Sequence, residues 1–429
     1  MLDRLFHLTR NRTTFRTEIL AGVSSFLTLA YIIAVNPAIL ADAGIPFAGA
    51  FIATILASAI GCAIMGLWAG WPVAVAPGMG LNAFFAYIVV LGMGYSWQQG
   101  LAAVFVASVL FFLFSITRMR VWLIQSIPAA LQIGITAGIG LFLAMIGLTS
   151  AGIIVDNPDT LVALGDASRA EFWLALAGLV LMAGLAVRGI NGGILLAILI
   201  IAALGWIGGL AEFNGLTAAP PVASAAFQLD FSVLLEPGFL SVVFVMFFVD
   251  FFDTTGTLTA IAGPAGKRRA DGQIDTLDRA VLADTSASIF GSLLGTSNMT
   301  SYLESAAGIR AGGRSGLTAV VVGILFLACL FFEPLFASIP AFATAPALIF
   351  VAAAFLTGLK EVHWPDMAEA IPVLVMMLIM PLSFSIAAGI AFGFFTWIGI
   401  RLVTGRAGEV TAGIWAIALF ALLWLVLSL

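Results

Sequence analysis

The sequence predicts an all-α polytopic membrane protein, and three observations carry that prediction. Of its 429 residues, 62% are hydrophobic and 9% charged, with a mean hydropathy of +1.16, whereas roughly a quarter of a soluble domain is charged. Apolar stretches of about 17–25 residues recur from end to end between short polar or Gly/Pro-bearing breaks, each long enough to cross a ~30 Å hydrocarbon layer as a helix. Backbone inside lipid must satisfy its own hydrogen bonds, which leaves helices or closed barrels, and the period-2 alternation of a barrel is absent.

The chain opens with MLDRLFHLTRNRTTFR, basic and polar, with neither an apolar core nor a small-residue cleavage site, so no removable signal peptide is expected and this N-terminus is expected to be retained. Apolar runs then predict spans at 18–38, 47–69, 72–91, 98–116, 126–148, 170–187 and 192–211, and again at 239–262, 278–295, 297–313, 315–334, 344–359, 367–383 and 385–404. A last run, 412–428, is either a fifteenth helix or a segment lying along the membrane. Cys62 and Cys329 both sit in apolar runs; two such cysteines make neither a disulfide framework nor a metal site and read as small buried residues. The net charge of −5 says less than where the charges fall.

Positive residues in short loops stay on the cytoplasmic side. With these spans, Arg4, Arg10, Arg12, Arg16, Arg118, Arg120, Arg188, Lys267 to Arg269, Arg310, Arg314, Lys360, Arg401 and Arg406 all fall inside. The outer loops carry acid instead: Asp156, Asp159 and Asp166 after the fifth span, Glu212, Asp230 and Glu236 after the seventh. Arg169 is the exception. Seven spans starting inside, followed by seven starting outside, is what an inverted-topology repeat requires. Superposing the halves lays Tyr31 beside Asp250, Asn82 beside Ser301 and Pro128 on Pro346. The expected organisation is a cytoplasmic segment 1–17, a first repeat 18–211, a loop 212–238 rich in Ala, Pro and Ser, a second repeat 239–404, and a C-terminal apolar segment 405–429.

Two spans are unlike ordinary membrane helices. Span three opens WPVAVAPGMGLNAFFAY with Pro72, Pro77, Gly78 and Gly80 in its first half, so helix is not expected before about Met79. Span ten, GTSNMTSYLESAAG, is too polar to face lipid and too short to cross alone. Interrupted segments at corresponding positions of two halves point to a transporter's site, because half-helix N-termini present free N–H groups and a positive dipole end. The alternative is a pair of Pro kinks and a re-entrant loop of purely structural use.

Span eight carries FFVDFFDTTGTL, in which Asp250 and Asp253 are three apart and share a helix face. An acid near the bilayer centre costs at least ~2.5–3.5 kcal/mol to insert and is a functional candidate by default. Glu304 in span ten makes three, and no Lys, Arg or His in the predicted spans lies near them. Desolvation disfavours the charged form of each, which makes them candidate proton carriers. Asp253, heading DTTGT with Thr254, reads equally as a brace for a helix end; Asp284 in span nine reads rather as a structural group near the membrane edge. Asn82 is either a helix cap or a substrate-contacting amide. Phe84, Phe85, Phe251 and Phe252 read mainly as packing, with ring stacking on a substrate as the alternative.

The strings AGVSSFLTLAYIIAVNP, APGMGLNAFFAY, FVDFFDTTGTL and GTSNMTSYLESAAGIRAGGRSGLTAVVVG resemble the azaguanine-like branch of the nucleobase:cation symporter superfamily, the permeases for adenine, guanine and hypoxanthine. The likeness runs in order over about four hundred residues. It implies fourteen spans in two inverted repeats, with spans one to four and eight to eleven as a core domain and five to seven and twelve to fourteen as a gate, moving against each other in alternating access. It also implies a homodimer in a bacterial cytoplasmic (inner) membrane with a cytoplasmic N-terminus, and a substrate held between short strands of spans three and ten. By that resemblance, purine contact falls to Asn82, Asp250 and Glu304, with Gly80, Phe84 and Ser301 beside them. Proton coupling or support of the site falls to Glu304, Asp250, Asp253 and Thr254. No cofactor beyond a coupling proton is implied, and no nucleic acid.

A purine is flat and neutral, edged with N–H donors and ring-nitrogen or carbonyl acceptors, which carboxylates, an amide and free backbone N–H groups can match. Two other readings keep the fold: a symporter of pyrimidine, xanthine or urate, and an anion exchanger or channel, which three acids at the half-helix ends disfavour. An enzyme is not expected, since the sequence offers no nucleophile–base pair and no metal-ligand cluster, and His7 and His363 lie in polar flanks.

Overall fold

A computed structural model describes residues 2–117, 126–222, 224–269 and 273–428; Arg118 and Arg120, counted above among the inside charges, lie outside them. Among the described residues, nine helices are long and apolar enough to cross a membrane. They are span one (Phe15–Asp42), two (Phe47–Ala69), four (Trp97–Ile116), five (Ala129–Ser150), six (Ala170–Val187), eight (Pro237–Ala262), eleven (Gly316–Ala337), twelve (Ala341–Glu361) and fourteen (Ile386–Val403). Three shorter apolar helices are the second part of span three (Met79–Val90), span seven (Gly193–Ile207) and span thirteen (Met367–Leu382). Span nine, Leu277–Leu294, is long enough but carries Asp278, Arg279 and Asp284. Span ten completes the fourteen as a strand followed by short turns of helix, Leu303–Ser305 and Ala306–Arg310.

Local chemistry explains the irregularities. Span one tightens at Ile33 and Ala34, whose N–H groups reach the carbonyls of Ala30 and Tyr31, one turn ahead of Pro37, which cannot donate and crowds the preceding turn. Span three begins as strand β1 (Val75–Pro77) and becomes helix only at Met79, just past Pro77 and Gly78. Between spans five and six the acidic loop folds as a hairpin of β2 (Ile154–Asn157) and β3 (Leu161–Leu164), which hydropathy did not foreshadow; the Asn157 carboxamide closes its turn by accepting from the N–H groups of Asp159 and Thr160. Arg169, the exception to the charge rule, pairs with Glu171 at 3.0 Å. Span ten opens with β4 (Met299–Ser301).

The helices pack in two groups. Spans one, two, four, eight, nine and eleven contact one another around the two broken segments, while spans five, six, seven and twelve to fourteen pack mainly among themselves. Edge-on phenylalanines join spans four and eight: Phe111 and Phe114 each meet Phe247 and Phe251, with ring centroids 5.4–5.9 Å apart, the geometry that aligns the positive ring edge with the negative face. The segment 412–428 is a helix, Ala412–Ser428, packed against spans fourteen and eight.

Candidate functional site

The two broken segments meet in the middle of the first helix group. β1 and β4 pair antiparallel in the register Val75 to Ser301, Ala76 to Thr300 and Pro77 to Met299. The pairing extends on both sides: Gly78 N–H donates to the Asn298 carbonyl (2.8 Å) and Tyr302 N–H to that of Ala74 (2.9 Å). A two-stranded sheet inside a membrane still leaves two outer edges, and an unpaired backbone group there costs several kcal/mol. Cys62 of span two covers one edge, its sulfur accepting from Val75 N–H (3.3 Å) and donating to the Val75 carbonyl. Ser288 of span nine covers the other in the same way, accepting from Met299 N–H and donating to the Met299 carbonyl, both at 2.9 Å. Cys62 is thus the small buried residue expected, with a hydrogen-bonding task besides.

Carboxylates surround this sheet. Asp253 is half-buried and its Oδ2 accepts from Thr300 Oγ1 (3.1 Å). Glu304 Oε1 accepts from the hydroxyl of fully buried Tyr31 (3.1 Å). Asp250 is 1% exposed and its Oδ2 accepts from Asn298 Nδ2 (3.3 Å). Asp284, the eighth of eighteen residues in span nine, is fully buried, and its two oxygens accept from Thr254 Oγ1 (2.7 Å) and Ser301 Oγ (2.6 Å), the structural hydrogen-bonding role its sequence suggested. It therefore ties spans eight, nine and ten together.

A cavity of about 470 Å³ opens beside the sheet, inside the ~300–1,000 Å³ range of small-molecule sites. Thr28, Tyr31, Asp253, Thr300, Ser301 and Glu304 form one wall; Thr136, Phe350 and Val351 of spans five and twelve form the other. Gly189 to Asn191 and Arg310, all exposed, mark its mouth. Of the residues singled out in the sequence, Glu304, Asp253 and Ser301 line the cavity, and Met79 represents span three there. Asn82, Asp250, Gly80, Phe84 and Thr254 stand behind the wall. Phe84 is 2% exposed. A Cβ on Gly80 would come within 2.8 Å of Ile139 Cγ2, so the absent side chain lets span three lie against span five. Arg310, counted in the sequence only among the inside charges, is a basic residue at the cavity.

Asn82 is neither a helix cap nor on the cavity. Its Nδ2 donates to Asn36 Oδ1, and its Oδ1 accepts from Ser297 Oγ. Asn36 in turn donates to Thr54 Oγ1 (2.7 Å) and Thr296 Oγ1 (3.0 Å). This buried chain joins spans one, two and three to the loop entering β4. Sequence reasoning overlooked Asn36, although an Asn before Pro37 in mid-span was a visible signal. It also overlooked Glu18, fully buried at the start of span one, which accepts from Arg314 N–H (2.9 Å), Ser315 N–H (3.2 Å) and Thr318 Oγ1 (2.5 Å). A carboxylate there faces the positive end of span eleven.

A fourteen-span helical fold in which two strand-interrupted segments meet beside an acid-lined cavity defines a polytopic transporter. The solved structures it resembles agree in fold: the transmembrane domain of a cyanobacterial bicarbonate transporter, BicA (TM-score 0.65, 15% identity, 86% of this chain and 96% of that one), and SLC26A9 (TM-score 0.65, 11% identity, 93% and 69%). The chain belongs to the permease family Xan_ur_permease, whose model matches residues 16–392. Its relatives include adenine permease AdeP of Escherichia coli (strain K12), 42% identical over 99% of this chain and 96% of that protein. Guanine/hypoxanthine permease PbuO of Bacillus subtilis (strain 168) is 39% identical over 95% and 96%, and the putative permease MJ0326 of Methanocaldococcus jannaschii is 45% identical over 100% and 99%. The family and its helices make the protein a multi-pass membrane permease.

Proposed function

We propose that this permease imports a purine nucleobase, adenine, guanine or hypoxanthine, together with a proton. The observation that carries the reading is a cavity whose polar wall is built from two carboxylates, Asp253 and Glu304, and the hydroxyls of Thr300, Ser301 and Tyr31, in a chain about 40% identical over nearly its full length to permeases named for adenine or for guanine and hypoxanthine. Carboxylates accept from the N–H edge of a neutral base, and hydroxyls both donate and accept. An acid half-sheltered from water, free to gain a proton as the base arrives, provides the coupling.

The lining favours a neutral ligand over an anion, since two acids share the wall and the single arginine sits at the mouth. In this reading the N-terminus is cytoplasmic: the mouth lies at the end of the molecule that carries Arg188, Arg310 and Arg314, in line with the positive-inside rule. The first helix group serves as core, the second as gate, and two copies associate as a homodimer, which light scattering on purified protein would check.

Purified protein in liposomes is expected to accumulate labelled adenine, guanine or hypoxanthine when the outside is acidic, and Glu304→Gln to abolish accumulation. Uptake indifferent to a proton gradient would remove the coupling; uptake competed by unlabelled uracil or xanthine but not by purines would move the substrate to a neighbouring class.

A further inference from the structure

We infer that Asn298 is the positioning residue that converts protonation of Asp250 into a change at the junction of the two broken segments. The inference rests on the proton-symport reading above and names the side chain through which it acts.

Asp250 is buried behind the cavity wall, and among the described residues its carboxyl has a single partner, Asn298 Nδ2 at 3.3 Å. The second carboxyl oxygen, Oδ1, is buried with no hydrogen-bond partner among the described residues, and so is the carboxamide oxygen Oδ1 of Asn298, which is itself fully buried. Two acceptors left over on one contacting pair, away from water, have a specific chemical remedy. A carboxylate takes the amide N–H, as seen here. A neutral carboxylic acid offers an O–H, and the same amide turned about its last torsion presents the oxygen to receive it. One pair of side chains thus holds both protonation states, with the amide facing opposite ways in the two. The proton comes from the medium, forms the O–H bond on Asp250, and returns to the medium on the other side; no other bond is made or broken.

The place of Asn298 in the chain makes the rotation consequential. Its carbonyl accepts from Gly78 N–H (2.8 Å), the last residue before the span-three helix. The neighbouring Ser297 hydroxyl donates to Asn82, and Thr300, two residues on, donates to Asp253 on the cavity. A pull on this residue reaches the strand pair from both sides. The charged groups facing Asp250 are all acids: Asp253 one turn along the same helix and Asp284 from span nine, with Glu304 of span ten beyond Asp253. Each is already engaged by a hydroxyl, from Thr300, from Thr254 and Ser301, and from Tyr31 respectively. Among these four acids Asp250 alone is engaged by an amide, whose change from donor to acceptor swings heavy atoms round, whereas a hydroxyl changes role by moving only its hydrogen.

The test separates coupling from folding. In liposomes, counterflow of labelled hypoxanthine against unlabelled hypoxanthine needs no net proton movement, whereas accumulation under an acidic exterior does. Asn298→Leu, similar in size but unable to hydrogen-bond, is expected to keep counterflow within about threefold of wild type. Its acid-driven accumulation should fall by at least about tenfold, the scale of one lost charge-assisted hydrogen bond, with a flattened dependence of uptake on external pH. Asn298→Ser, whose hydroxyl both donates and accepts, should restore part of the pH dependence. An Asn298→Leu protein with the wild-type pH profile would overturn the inference, as would counterflow and accumulation falling in parallel. Should Asn298→Leu fail to fold, Asn298→Ser decides by the same profile: a partial flattening supports the coupling and an unchanged one refutes it. If wild-type uptake itself ignores the proton gradient, the symport reading fails first, and this inference with it.

Discussion

Replacing Tyr31 by phenylalanine removes one oxygen from the cavity wall and nothing else. Tyr31 is fully buried where span one tightens ahead of Pro37, so the ring's packing supports the phenylalanine unchanged. Its hydroxyl donates to Glu304 Oε1 at 3.1 Å, while Thr28 Oγ1 reaches only the Glu304 backbone carbonyl at 3.3 Å. A hydrogen bond to a charged group contributes about 1.5–3 kcal/mol. Here the distance exceeds the ~2.7–2.8 Å usual for O–H···O and Glu304 is partly exposed in the cavity, so about 1–2 kcal/mol is the fitting magnitude. At ~1.36 kcal/mol per tenfold, the unanchored carboxylate should weaken purine binding about 5- to 30-fold. Initial rates of labelled purine uptake should show this as a raised KM, with the purified protein's thermal stability within about a degree or two of wild type. A KM within twofold of wild type would refute the idea that Tyr31 orients Glu304 for the base.

Glu18→Gln should lower stability without touching the site: the retained oxygen can keep the Arg314 and Ser315 N–H groups and the new NH2 can donate to the Thr318 hydroxyl, but the negative charge at the start of span eleven is lost, about 1–2 kcal/mol. Thermal unfolding in detergent reads it, and an unchanged midpoint would show that the carboxylate contributes nothing. Ser288→Ala should leave the Met299 N–H and C=O at the outer edge of β4 unpaired, costing about 1–3 kcal/mol and raising KM as the strand loosens; normal stability with normal KM would mean that the edge finds another partner. Tyr87→Phe removes the hydroxyl that donates to Asp42 Oδ2 at 2.8 Å at the end of the molecule remote from the cavity mouth. A Ser150→Cys reporter should then react faster with an impermeant thiol reagent applied at that end, and an unaltered rate would leave the Asp42 to Tyr87 contact with no part in closing it.

Much of this architecture was readable because hydropathy and Pro/Gly placement are local. Span six emerged at Ala170–Val187 and span fourteen at Ile386–Val403, close to where apolar runs and breakers put them, and the strands of spans three and ten begin where Pro72, Pro77 and the polar TSN run forbid helix. What escaped was tertiary. Glu18 reaches Thr318 across 300 positions and Asn36 reaches Thr296 across 260, so neither shows a periodicity or a nearby partner. Cys62 looked inert because its role depends on a strand edge that only folding creates. Asn82 illustrates the same limit from the other side: the residue type fits a base's edge, but both ends of its amide are taken by Asn36 and Ser297, a fact no spacing encodes.

The arrangement of polar contacts along span five argues for alternating access. Thr136 lines the large cavity, whereas Ser150, near the other end of the same helix, lines a small pocket of about 90 Å³ with Asp42, Tyr87 and Thr344. Fourteen helical residues separate them by about 21 Å, more than half the ~30 Å hydrocarbon thickness. Between these levels, Leu143 and Ile146 of span five, Val35 of span one and Leu348 of span twelve are all at most 2% exposed. The cavity is therefore open to the end bearing Arg188 and Arg310 and closed at the other by an apolar layer topped with the Tyr87 to Asp42 hydrogen bond. That layer is shared between the two helix groups: spans one and three supply Val35 and Tyr87, spans five and twelve supply Leu143, Ile146 and Leu348. In the proposed alternating access, this layer would part by movement of one group against the other. Gly189 to Asn191 and Arg310, at the mouth, likewise belong to opposite groups.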